Sequence, residues 1–167
     1  MARSLPTPAL RPFLPTDGSD VVAIFRASIE ELTEEDYGEA QREAWASMAD
    51  DEEAFVARLA RALTLVATMD GTVVGFISLE DANRIEMLYV HPAVARHGVG
   101  TTLCDAVEKI AASRGTTRLT TDASDSARDF FEHRGYVAQQ RNSVSVGEEW
   151  LANTTMEKKL AAKGDAR

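Results

Sequence analysis

The chain has one cysteine, Cys104, so an internal disulfide framework is excluded. No apolar run approaches the roughly 20 residues that a membrane-crossing helix needs. The opening stretch MARSLPTPALRPF lacks the apolar segment of a signal peptide, and the cytoplasm is the expected compartment. A G-x-S-x-G elbow is missing, as is any spaced cluster of metal ligands, which argues against hydrolase and metalloenzyme chemistry. Basic charge is also short: 18 Lys and Arg face 27 Asp and Glu, for a net of −9. Nucleic acid is not the expected partner, because phosphate backbones reward lysine and arginine. Repeats and low-complexity tracts are lacking too.

What is present is an ordinary globular composition, 44% hydrophobic and 27% charged over 167 residues. A single domain over residues 1–160 is expected, with 161–167 as a frayed tail. The acid is concentrated. Glu30–Glu53 holds eleven carboxylates and one arginine, Arg42, so the rest of the chain sums to +1. Such a run is either a solvated face or a means of attracting cations.

Periodicity gives the elements in order. Ala9–Leu14, with Pro12 inside it, reads as an edge strand. Asp17–Asp20 offers caps for a helix carrying Val21, Val22, Ile24, Phe25 and Ile29 to about Leu32. Thr33–Met48 reads as helical, with Tyr37, Gln41 and Trp45 four apart and so on one face. Asp50–Ala62 predicts another helix, with Phe55, Val56, Leu59 and Leu63 inward. The stretches TLVATM and TVVGFISLE flank Asp70-Gly71, a two-residue hairpin signal. Asn83 marks a further turn before a strand at Ile85–Val90.

That strand opens the stretch around which the chain is organised, Ile85–Gly115. A loop with Pro92 and Arg96 follows it, and Gly98-Val99-Gly100 opens a helix. The helix buries Val99, Leu103, Ala106, Val107, Ile110 and Ala111 at 3.6-residue spacing and stops at Gly115. Cys104 lies beside this face and reads as a small core residue. A helix N-terminus presents free amides and partial positive charge, and glycines let an anion come close. Arg96 and His97 add donors, so the stretch reads as a pyrophosphate cradle. A Rossmann fingerprint fits poorly: Leu103 takes the third small position, and seven residues separate strand from glycine. A Walker A loop is excluded, since no Gly-Lys-Ser/Thr follows.

Beyond Gly115, Arg118–Ser124 is expected to pair parallel to Ile85–Val90 through the helical crossover. A short helix, Ser126–Arg134, ends at Gly135. Tyr136–Val146 and Glu149–Lys158 form a closing hairpin hinged at Gly147.

On these residues the chain resembles the GNAT superfamily of N-acetyltransferases. Its strand LYVHP is followed by Ala95-Arg96-His97-Gly98-Val99-Gly100, close to the family's Q/R-x-x-G-x-G/A, with Ala95 in place of Gln or Arg. The block Thr120–Tyr136, TTDASDSARDFFEHRGY, resembles the family's strand and N/S-x-x-A-r-x-F-Y-e-x-x-G-F segment. The resemblance implies an α+β (α/β/α) fold: a mixed, mostly antiparallel sheet splayed between two parallel strands and flanked by helices.

It also implies acetyl-CoA as cofactor and the primary amine of a small molecule as acceptor. The pantetheine arm would run along Leu88, Tyr89 and Val90, pairing with their main chain. A backbone N–H near Leu88 would face the thioester oxygen. Arg96, His97, Gly98, Val99, Gly100 and Thr101 would hold the pyrophosphate. Ser124 would meet the pantetheine, cap the next helix, or do both. Arg134 would reach a phosphate or remain a solvated cation. Phe131 stands where many relatives have a tyrosine that protonates the thiolate, and it has no proton to give. Tyr136 and Tyr89 are the remaining donors.

Glu86 is the first choice of base, being a carboxylate in an apolar strand. Which face it uses is open, because a bulge would reverse the parity. The alternative is an outward-facing charge or an ion pair with an arginine such as Arg84 or Arg118. Tyr37, Gln41 and Trp45 are acceptor-side candidates, or they pack their helix on the sheet. A non-catalytic coenzyme A-binding sensor is the second functional reading, and a homodimer is left open.

Overall fold

The computed structural model describes residues 6–161. The expected tail falls, from residue 162 on, outside the described residues. The chain begins with β1 (Ala9–Pro12), α1 (Gly18–Leu32), α2 (Glu39–Ala46) and α3 (Glu52–Arg61). Next come β2 (Leu63–Met69), β3 (Thr72–Glu80), β4 (Arg84–Val90) and α4 (Val99–Ser113). It closes with β5 (Arg118–Ser124), α5 (Arg128–His133), β6 (Val137–Val146) and β7 (Glu149–Lys159). The strands form one seven-stranded sheet in the order β1-β2-β3-β4-β5-β7-β6. Among the described residues, only β4 and β5 are parallel.

Alternation along the strands divides the core in two. Ile77, Leu79, Ile85, Leu119 and Met156 pack with the Leu103, Val107 and Ala111 stripe of α4. Val66, Phe76 and Met87 pack on the opposite face with Phe25 and Ile29 of α1 and Phe55 and Leu59 of α3. Cys104 is fully buried in the first cluster, and burial pushes its thiol up to about 12. It is a core residue. No helix among the described residues is long and apolar enough to cross a membrane.

The turns follow the sequence chemistry. Asp70 and Gly71 both have positive φ, 50° and 81°, which gives the hairpin a twist that matches its strands. Asp17 caps nothing at α1. Its buried carboxylate takes two bonds from Arg11, at 2.7 and 2.8 Å, and one from the Leu14 amide. Arg11, with the Leu14 amide, outweighs the cost of burial and holds the Asp17 carboxyl below its usual range.

Several boundaries differ from expectation. Thr33–Met48 is not one helix. The Asp36 and Tyr37 amides both turn back to the Thr33 carbonyl, Gly38 is extended, and α2 starts only at Glu39. Tyr37 therefore lies before the helix and does not share a helical face with Gln41 and Trp45. Leu63 belongs to β2 rather than to α3. The helix after β5 begins at Arg128, because Ser124–Ala127 is spent on a capped turn.

Candidate functional site

The sheet opens where its two parallel strands should run together. β4 and β5 pair at Arg84↔Thr120 and Ile85↔Thr121 and then separate. A cleft of about 640 Å³ lies between them. A bulge shapes its inner end. Opposite β3, Ser78 faces Met87 and Leu79 faces Ile85, so Glu86 is the extra residue. A bulge re-aims the side chain it carries. Glu86 points to the α3 side, where the Arg58 guanidinium contacts its Oε1 through both Nε and Nη2. Its Oε2 has no protein partner among the described residues. The ion pair expected as an alternative is present, but with Arg58 rather than Arg84 or Arg118. Those two bind Asp122 and Glu157 instead.

Leu88, Tyr89 and Val90 line the cleft, with Leu88 and Val90 on the α4 side and Tyr89 on the α1 side. The Tyr89 ring sits 4.7 Å from Phe25 and 5.6 Å from Phe76. Its hydroxyl oxygen accepts a bond from Trp45 Nε1 at 3.2 Å. Burial pushes that hydroxyl well above the usual phenol range, so it stays protonated.

The glycine loop closes the outer end. Gly98 has φ 86°, a left-handed conformation that glycine adopts without strain, and it is the N-cap of α4. Arg96 is also left-handed, at φ 65°, a strained state for an arginine. The Val99 side chain is buried against β3, and its backbone starts the helix at the cleft wall. Gly100 has a packing role that the sequence did not disclose. A Cβ there would meet Phe130 at 3.3 Å. Arg96, Gly98, Val99, Gly100 and Thr101 line the cleft, whereas His97 is exposed and does not.

Ser124 both lines the cleft and accepts the Ala127 amide at 3.1 Å, so wall and cap coexist in one residue. Phe131 is 3% exposed and forms part of the same wall. Two other expected residues lead elsewhere. Arg134 is held by Asp105 at 2.8 Å and Glu108 at 3.0 Å, and it stacks over Phe130. Burial opposes its charge, but the two carboxylates outweigh burial and raise its pKa. Tyr136 donates to Glu108 at 2.9 Å, and Lys158 completes the cluster. Burial and then the Glu108 charge push the Tyr136 hydroxyl far up. Neither side chain lines the cleft, because both are spent on Glu108.

Of the acceptor-side candidates, Tyr37 and Trp45 reach the cleft and Gln41 does not. Gln41 ties α2 to β7 by donating to the Trp150 carbonyl at 2.7 Å and accepting from the Gly38 amide. The buried Tyr37 hydroxyl accepts the Asp125 amide at 2.9 Å and donates to the Ala152 carbonyl. Residues that sequence reasoning passed over also form the wall: Leu32, Met48, Arg58, Phe130, Val144 and Leu151. Leu32 falls on the same helical stripe as Phe25 and Ile29, so its spacing marked it only as core.

With this geometry in view, comparison with known proteins is decisive. The family described as "Acetyltransferase (GNAT) domain" matches residues 33–160. The chain is 31% identical over 147 residues to the uncharacterized N-acetyltransferase YafP of Escherichia coli K12, covering 88% of this chain and 93% of that one. A crystal structure of a GCN5-related N-acetyltransferase from Rhodopseudomonas palustris is 59% identical. It covers 96% of this chain and all of its own, with a TM-score of 0.92. The PaiA N-acetyltransferase of Thermoplasma acidophilum, in complex with coenzyme A, shares the fold at 21% identity and a TM-score of 0.77. That match covers 92% of this chain and 99% of PaiA. The chain, with its splayed parallel strand pair and glycine-capped helix, belongs to the GNAT acetyltransferases.

Proposed function

We propose that the chain transfers an acetyl group from acetyl-CoA to the primary amine of a small molecule by direct attack. The observation that carries this reading is the seam between β4 and β5, which opens directly onto the N-terminus of α4. The seam suits coenzyme A. β4 runs on past its last pair with β5, and its free edge can take the main-chain bonds of an extended arm. Gly98 exposes the first amides of α4 with no side chain in the way, and Arg96 adds a cation. The carboxylates of the lining, Glu86 and Asp122, belong to the strand-pair end, away from that anion site. The PaiA complex, with coenzyme A on the same fold, supports the same cofactor.

When bound, acetyl-CoA supplies a thioester carbonyl open to attack by an amine. The residues of this chain prepare that attack. The Leu88 backbone amide is assigned to the thioester oxygen. Glu86, fixed at Oε1 by Arg58, keeps Oε2 to take a proton from the amine directly or through water. Tyr89 replaces Tyr136 as proton donor: the residue lines the cleft, and its hydroxyl remains protonated, accepts from Trp45 and keeps its own proton to give. Phe131 and Phe130 exclude water beside the sulfur.

Phe131, which lacks the usual hydroxyl, favours one second reading, a coenzyme A binder without turnover. Free-thiol release from acetyl-CoA across a panel of amines separates the two. Amine-dependent release supports transfer. Tight coenzyme A binding with no release by any amine overturns it in favour of the binder.

A further inference from the structure

The inner half of the cleft has a chemistry of its own. Leu32, Met48 and Val144 line it while remaining 42%, 44% and 40% exposed. They make up half of the six large exposed hydrophobic side chains among the described residues. They come from the end of α1, the turn after α2, and β6, so no local run of sequence brings them together. One exposed apolar side chain needs no explanation, but three that converge on one opening mark a binding surface. Trp45 and Leu151 continue the apolar wall inward.

The charges narrow the occupant. Two arginines reach this half, and both are engaged: Arg58 with Glu86, and Arg84 with Asp122 at 2.8 Å. No unpaired cation is left there, among the described residues, to hold a carboxylate. The acidic segment supplies Leu32, Tyr37, Trp45 and Met48 to the wall while none of its carboxylates lines the cleft. Of its eleven carboxylates only Asp50 meets a cation, Arg26, among the described residues. The segment is amphipathic around the opening, apolar inward and acidic outward. A field of that sign draws ammonium ions and repels carboxylates.

We infer, resting on the acetyltransfer reading, that the acceptor is a primary monoamine with an apolar aryl or alkyl body and no carboxylate. Its ammonium is gathered by the surrounding acid. Its body replaces water against Leu32, Met48 and Val144, and its nitrogen reaches the Glu86 end of the seam. Amino acids lack a partner for their carboxylate here. Polyamines would set a second ammonium against the apolar wall, where desolvation has no compensation.

The test uses the full chain with saturating acetyl-CoA and compares butylamine, hexylamine, 2-phenylethylamine, phenylalanine and spermidine by kcat/KM for thiol release. From butylamine to hexylamine, each methylene is expected to add about threefold to fourfold. 2-Phenylethylamine is expected to exceed phenylalanine by at least about 100-fold, because an unmatched buried carboxylate costs several kcal/mol. Spermidine is expected to fall below hexylamine. The double variant Met48→Lys, Val144→Lys is expected to lose tenfold or more (roughly two methylene equivalents) with hexylamine, with unchanged coenzyme A affinity by calorimetry. A flat methylene series, or a preference for phenylalanine or spermidine, overturns the assignment. Should no amine release thiol, hexylamine binding to the coenzyme A-loaded protein, read by calorimetric titration, still decides. Saturable binding that weakens in the double variant supports the apolar-amine site and removes the transfer reading. Lack of saturable hexylamine binding overturns the site.

Discussion

The two ends of the cleft are built by opposite means. At the α4 end, Arg96 and Gly98–Thr101 line the cleft from one short loop, and what matters is conformation: two left-handed residues and a helix N-terminus. At the inner end the wall comes from α1, the stretch before α2, α2 itself, β6 and β7, and what matters is side-chain surface. A backbone site is general, serving any ligand with the same anionic group, but it fails if one dihedral or one close approach is lost. A side-chain wall is specific and distributed, so single changes there alter preference before they abolish binding.

The sharpest break of that contrast is Gly100→Glu. The Cβ presses on Phe130, and the new carboxylate is set at the loop proposed to hold the pyrophosphate. Like charges brought together cost several kcal/mol, so coenzyme A affinity is expected to fall more than about 100-fold. Calorimetric titration reads this, beside a melt that remains cooperative. Unchanged affinity in the folded variant would remove the phosphate assignment.

Glu86→Gln probes the seam where the two ends meet. It is expected to lower kcat about 10²–10³-fold while leaving coenzyme A affinity intact. Equal losses in both quantities would mean that the Arg58 pair merely holds β4 in place. Tyr89→Phe comes next, at roughly tenfold in kcat, with about 1 kcal/mol of stability lost as Trp45 Nε1 loses its acceptor. A variant with wild-type kcat would show that water protonates the thiolate. Phe131→Tyr is expected to keep activity within a few-fold. A folded but inactive Phe131→Tyr enzyme would contradict the placement of that ring beside the sulfur.

The smallest effect on activity is expected far from both ends. Asp17→Asn removes the Arg11 pair at the start of α1, whose other end carries Leu32. The folded carboxyl titrates below its unfolded value, so its contribution is complete above the ordinary carboxylate range. It drains away as pH falls through the lowered pKa. Denaturant melts are expected to show wild type ahead by about 1–2 kcal/mol at neutral pH, the gap closing on acidification. A gap that persisted undiminished in strong acid would assign the effect to packing.

The fold and the outer end were legible because their signals are local. The Gly98 turn, the Val99–Ala111 stripe and the Asp70-Gly71 hairpin each require particular residues at fixed short spacing, whatever lies elsewhere. The parallel pairing of Arg118–Ser124 followed from the crossover. The inner end was not legible. The face of Glu86 depends on a bulge, and its Arg58 partner comes from a helix 28 positions earlier. Arg134 and Tyr136 were candidates for the phosphate and for proton donation but are drawn to Glu108, a choice made by tertiary packing. Tyr37 was misplaced on a helix because four-residue spacing does not register the Thr33 turn that precedes Gly38.

The seam also sets how the molecule comes apart. β1–β4 and β5–β7 meet in the sheet through two residue pairs, helped by Thr121 Oγ1 donating to the Ile85 carbonyl at 3.1 Å. In the language of hydrogen exchange, these are expected to behave as two cooperative units joined by a short stitch and clamped by α4. Amides of β4 that point into the seam are expected to exchange faster than their neighbours bonded to β3. Coenzyme A should act as a splint across the gap, slowing those amides and merging two openings into one. The same gap that admits a cofactor would then make the cofactor part of the sheet, so loss of ligand would loosen the molecule along a defined line.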